Sequence, residues 1–147
     1  MTQTTPGQST QRVFASVRFV DAHAGIKFLH DAYGFEPQVV YDDGSGGVAH
    51  AQLAFGSEIV MCGSSRDDRY PVRSPRQIGG GVTSGIYIAL DSAEAVDRLY
   101  ERARRAGAEI LDAPHDTEYG SHQFTSRDPE GHVWSFGTYR PEAIAPR

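Results

Sequence analysis

A strand, an Asp-capped helix closed by Gly, and then three more strands occur twice along this chain, 70 residues apart as measured from Asp21 to Asp91. An internal repeat of this kind means one supersecondary unit used twice, and it limits the fold more than any single motif does. In the first copy, residues 12–20 (RVFASVRFV) alternate as a strand does. Asp21 reads as a helix N-cap, Ile26, Leu29 and Tyr33 recur at helical spacing, and Gly34 closes the helix. Residues 35–41, Val48–Phe55 and 58–62 read as strands around turns at 42–47 (DDGSGG) and Gly56-Ser57. In the second copy, residues 82–90 form the strand, and Asp91 caps a helix with Glu94 three positions on. Val96, Leu99 and Ala103 make its buried stripe and Gly107 ends it. Strands at 108–111, about 123–127 and 132–139 follow, with a tight DPEG turn at 128–131.

Residues 63–81 break the pattern, with Arg66, Asp67, Asp68, Arg69, Pro71, Arg73, Pro75, Arg76 and three consecutive glycines. By composition this is a loop, either a lid or a passive linker, with the glycines as a hinge. The layout expected is a floppy polar tail over 1–11 (not a signal peptide), a module over 12–63, a linker over 64–81, a module over 82–140 and a tail over 141–147. In a chain of 147 residues, a net charge of −5 argues against a nucleic-acid partner, whose footprint is basic. No apolar run nears the roughly 20 residues of a membrane span. The lone Cys62 cannot form an internal disulfide and suits a reducing, cytoplasmic setting.

The segments FVDAHAGIKFLHDAYGFE, LDSAEAVDRLYERARRAGAEI and YGSHQFTSRDPEGHVWSFGTY resemble the two modules of the vicinal oxygen chelate superfamily. That group holds glyoxalases, bleomycin-resistance proteins, fosfomycin-resistance transferases and extradiol dioxygenases. The DPEGH turn before a Trp-containing last strand is the most specific piece. The resemblance implies an α+β fold of two tandem βαβββ modules whose curled mixed sheets surround a cleft, commonly in a homodimer.

Enzymes of that superfamily hold a divalent metal on His, Glu or Gln from cleft-facing strand positions. Carried onto this sequence, those positions are Phe14, Ser84, Ser135 and one residue within 60–62, none with a usable donor. His50 and Gln52 share one parity on a strand, but two neutral donors make a poor divalent site. A relocated site would be built on His50 and Glu58, with or without His122. The expectation is therefore no metal and no cofactor, closest to the metal-free bleomycin-resistance branch. Cys62 reads as an inert buried thiol, and His132 as a turn or sheet-edge residue. No nucleophile elbow, P-loop, HExxH or CxxC occurs.

The register that the resemblance implies turns Phe14, Ser16 and Arg18 toward the cleft. Ser84, Ile86, Ile88 and Leu90 follow from the second module's first strand, and Val133, Ser135, Gly137 and Tyr139 from its last. With His50 and Gln52, the expected ligand-binding set is Phe14, Ser16, Arg18, His50, Gln52, Ser84, Ile86, Ser135 and Tyr139. Arg18 is either internally paired or a clamp for a ligand's anionic or carbonyl group. Trp134, Phe136 and Tyr87 have the opposite parity and are expected in the core. The function expected is a protein that binds or sequesters a small molecule such as an antibiotic. The alternative is a metal-dependent lyase, isomerase, dioxygenase or thiol transferase with a relocated site. A third reading is a vestigial cleft serving protein association.

Overall fold

A computed structural model describes residues 10–144. Of the tails expected at 1–11 and 141–147, residues 1–9 and 145–147 lie outside the described residues. The strands are β1 (Ser16–Phe19), β2 (Glu36–Asp42), β3 (Val48–Phe55), β4 (Glu58–Ser64), β5 (Ile86–Ala89), β6 (Glu109–Asp116), β7 (His122–Arg127) and β8 (Val133–Gly137). The helices are α1 (Ala22–Phe28), extended by one π turn (Leu29–Tyr33), and α2 (Ala93–Arg105). They make two four-stranded sheets with the same order, β1-β4-β3-β2 and β5-β8-β7-β6, the outer pair parallel and the rest antiparallel in each. This is the expected α+β arrangement of two βαβββ modules. Neither sheet closes on itself.

Asp21 caps α1 as expected, its carboxylate accepting from the Ala24 N–H at 3.1 Å. The helix ends at Gly34 with φ 84°, a left-handed conformation that favours glycine. Gly25 lets α1 lie flat on β1, because a Cβ there would sit 2.5 Å from the Phe19 ring. The second helix corrects the repeat by one residue. Ser92, not Asp91, is its N-cap, with Oγ accepting from the Ala95 N–H at 3.1 Å. The two caps are thus 71 residues apart, an odd offset, and an odd offset reverses which side chains of β5 face the helices.

One core serves both modules. Val17, Phe19, Leu53, Val60 and Cys62 turn toward α1, and Phe124, Trp134 and Phe136 toward α2. The extra residue in the π turn brings Tyr33 onto the second sheet. Its ring centroid lies 4.9 Å from Phe136 and 5.8 Å from Trp134, and its hydroxyl shares a 2.7 Å hydrogen bond with Ser126. Burial pushes the Tyr33 phenol well above its ordinary pKa. Phe35 and Phe55 reach the same cluster. Arg102 on α2 donates to the carbonyls of His30 and Asp31 in the π turn, at 2.8 and 2.9 Å.

The DPEG turn is the second tie between the modules. Asp128 is buried, and its Oδ1 accepts from the backbone N–H groups of Glu130, Gly131 and His132 at 3.0, 3.0 and 3.1 Å. Its Oδ2 accepts from Trp134 Nε1 at 3.0 Å and His132 Nδ1 at 2.9 Å. His132, expected at a turn or edge, is buried and donates from Nε2 to the Arg18 carbonyl at 2.9 Å. Glu130 reaches the entry to α1, accepting from the N–H groups of Val20 and Asp21 at 2.6 and 2.9 Å. It also accepts from Ser74 Oγ of the linker at 2.6 Å.

Candidate functional site: two cavities and an open sheet face

Strand register assigns the face of each candidate residue. Ser16 pairs with Met61, and Gln52 with Met61 in turn, so these residues share the helix-free face of the first sheet with Arg18 and His50. In the second sheet Tyr87 pairs with Ser135 and Thr125 with Ser135, which places all three on its helix-free face. Ile86 pairs with Trp134 and Ile88 with Phe136, so both belong to the helix-covered face. The expectation that Ile86, Ile88 and Leu90 all turn toward the cleft is corrected. They pack at the margin of the core, for the register reason given by Ser92. Tyr87, expected in the core, is instead 37% exposed and donates its O–H to the Tyr139 carbonyl at 2.6 Å.

Ser135 and Tyr139 come together in a cavity of about 480 Å³ on the open face of the second sheet. Its other walls are Gly85, Ile86, Tyr87, Tyr119, Gln123 and Pro141. Tyr119 meets Tyr139 edge-to-face at 5.5 Å between centroids and donates its O–H to Gln123 Oε1 at 3.2 Å. Tyr87, Tyr119 and Gln123 are absent from the sequence-derived set. The correct cap at Ser92 would have exposed Tyr87, whereas Tyr119 sits in the turn between β6 and β7, where no periodicity applies.

Ser16, Ser84 and Ile86 line a different chamber, of about 460 Å³, between β1, the linker and the start of β8. His50 and Gln52 line neither cavity. The His50 ring stacks on Tyr41 with centroids 6.3 Å apart. Phe14 is half-buried on the parity of Ser16 and also lines neither.

Arg18 is internally paired, the first of its two readings. Its guanidinium grips Asp68 with two N–H donors at 3.0 and 2.7 Å, and also donates to the carbonyls of Tyr70 at 2.9 Å and Val72 at 3.3 Å. The Tyr70 ring covers it at 4.9 Å. The Arg18 hydrogen bond holds the Asp68 carboxyl below its ordinary pKa, outweighing the opposing effect of burial. The linker is therefore fastened across the first sheet. It turns through a 3₁₀ segment (Pro75–Ile78) that ends at Gly79 with φ 80°.

A model of the Glyoxalase/Bleomycin resistance protein/Dioxygenase superfamily matches residues 13–136. The chain belongs to that superfamily. No curated protein matches it in sequence. Among solved structures of the superfamily's fold, TioX from Micromonospora sp. ML1 is similar at TM-score 0.65 and 24% identity, covering 86% of this chain and 97% of that one. The hypothetical protein SA1046 from S. aureus gives TM-score 0.64 and 17% identity, covering 88% and 98%. The fosfomycin resistance protein FosX from Listeria monocytogenes, complexed with Mn(II) and sulfate, gives 0.63 and 12%, covering 90% and 95%. At these identities the likeness is one of fold.

The residues present do not fit the metal that the superfamily implies. Register makes Met61 the counterpart of Ser135, since they pair with Ser16 and Tyr87 respectively. The odd offset makes Gly85, not Ser84, the counterpart of Phe14. A phenyl ring, a thioether, a hydrogen and a hydroxyl offer a divalent ion no carboxylate and no imidazole. The relocated set is scattered. His50 is on the open face of the first sheet, and Glu58 pairs with Phe55 on the helix-covered one. His122 bridges Asp97 of α2 and Asp116 of β6 at 2.7 and 2.8 Å. Among the described residues no group of three or more His, Cys, Asp or Glu is arranged to hold a metal ion. Burial pushes the Cys62 thiol up to about 12, so it is no nucleophile near neutral pH. No helix among the described residues is long and apolar enough to cross a membrane.

Proposed function

We propose that this chain binds and sequesters a small organic molecule, of the antibiotic kind, on the open face of its second sheet without a metal. The observation that carries the reading is the pairing of lost donors with gained aromatics. Phe14, Met61, Gly85 and Ser135 stand at the metal-ligand positions, while Tyr87, Tyr119 and Tyr139 line a cavity of about 480 Å³. Aromatic walls with a few placed hydrogen-bonding groups, here Gln123 and Ser135, are how small-molecule pockets are built. Tyrosines offer rigid rings to stack on and hydroxyls that stay wet. Homodimerisation would give this open face the opposite wall it lacks in one copy. The lone buried thiol suits a cytoplasmic setting.

Elemental analysis of protein purified without chelator or His-tag tests the metal side of the reading, with Zn, Ni, Mn and Fe added in parallel thermal-shift runs. The expected result is sub-stoichiometric metal and no shift. One tightly held metal per chain would restore the metal-dependent enzyme. A panel of cationic and aromatic antibiotics then tests binding, with the ligand recovered unchanged by mass spectrometry. Tyr119→Ala should weaken any captured aromatic ligand by about 0.5–1.5 kcal/mol in titration calorimetry. Chemical turnover of the ligand, or no loss in that variant, would count against sequestration at this face.

A further inference from the structure

The chamber walled by the linker has a composition that the open-face reading does not use. Val72, Pro75, Ile78, Val82 and Val133 give it apolar walls around about 460 Å³, and Ile78 and Val82 remain 51% and 41% exposed. Ser16, Thr83 and Ser84 bring hydroxyls to the wall, with no hydrogen-bond partner among the described residues. Arg73 also lines it. Unlike Arg18, whose charge Asp68 neutralises, Arg73 meets among the described residues only the carbonyls of Tyr70 and Val72, at 3.1 and 3.2 Å through one terminal nitrogen. Its other guanidinium donors and its full charge are left without a carboxylate among the described residues. A half-buried, uncompensated guanidinium beside apolar walls is matched by an anion that carries an apolar tail.

We propose that this chamber is a second binding site, for a small apolar monocarboxylate, with Arg73 as its counter-ion. The tail covers Ile78 and Val82, and the carboxylate takes the free guanidinium donors and a neighbouring hydroxyl. The site is built by the linker within one chain, so it stands whether or not the open face of the second sheet binds its own ligand.

Titration calorimetry on the full chain with octanoate, and with octanamide as its neutral isostere, tests the proposal. Octanoate should bind at least tenfold more tightly than octanamide. Arg73→Gln should bring octanoate down to the octanamide level and leave octanamide unchanged, while Arg73→Lys should retain part of the difference. Tyr119→Ala should leave octanoate binding unchanged. Methyl chemical shifts of Ile78 and Val82 in the unmutated protein should move with octanoate, a readout that does not depend on any variant folding. No octanoate binding, equal affinity for the two probes, or unmoved Ile78 and Val82 methyls would overturn the site. Loss in Tyr119→Ala without loss in Arg73→Gln would also overturn it, and would move the acid to the open face.

Discussion

Asp128 organises the turn that carries the sequence's most specific motif, and it does so from a buried position. Its two oxygens accept from three backbone N–H groups, the Trp134 indole and His132, with almost no contact with water. Asp128→Ala would leave all five donors without their acceptor, and breaking a buried network of this kind should cost about 3–5 kcal/mol in denaturant unfolding. Asp128→Asn should cost less, because an amide oxygen can still serve the three backbone donors. Equal losses in the two variants would mean that the carboxylate charge, and not the shape of the turn, is what matters. The motif itself was legible, since DPEGH before a Trp strand pointed to the superfamily. Its role was not, because partners such as the Arg18 carbonyl are 114 positions away in sequence. The same scale explains the error in β5. Asp91 and Ser92 are both good caps, and choosing the wrong one turned Ile86 and Tyr87 to the wrong faces.

The linker is the element that composition described least well. Its prolines, glycines and arginines read as a loop, but nothing local announces that Arg18 and Asp68 will meet, or that Ser74 will find Glu130. These are tertiary pairings between residues 50 and 56 apart. Arg18 holds the Asp68 carboxyl below its ordinary value of about 3.8, so the folded-state pKa is the lower one. The contribution of the pair is therefore full above that ordinary value and disappears as pH falls through the lower folded value. Asp68→Asn should remove it at neutral pH. Limited proteolysis should then cut within 65–73 faster in the variant than in the parent at pH 7, with the two converging in strong acid. A linker equally resistant in both at pH 7 would show that Ser74 and Glu130 hold it without Arg18. By contrast, the order of the paired βαβββ elements was legible, because hydrophobic periodicity and glycine stops are local, although β6 runs on to Asp116, past the expected end at 111.

Across the whole molecule, the two modules share one core. Tyr33 and Phe35 of the first pack on Trp134 and Phe136 of the second, and Glu130 of the second holds the entry to α1. Neither module keeps its apolar face covered without the other. Thermal unfolding should accordingly be a single calorimetric transition with equal calorimetric and van't Hoff enthalpies. Two resolved transitions would mean that the seam is weaker than either module. The seam also contains the only tryptophan in the chain, fully buried between aromatic rings of the first module with its indole N–H on Asp128. The protein thus carries its own optical gauge. Emission from Trp134 should be blue in the native state and redden as the modules part, so parting of the modules can be followed by light alone, without a label.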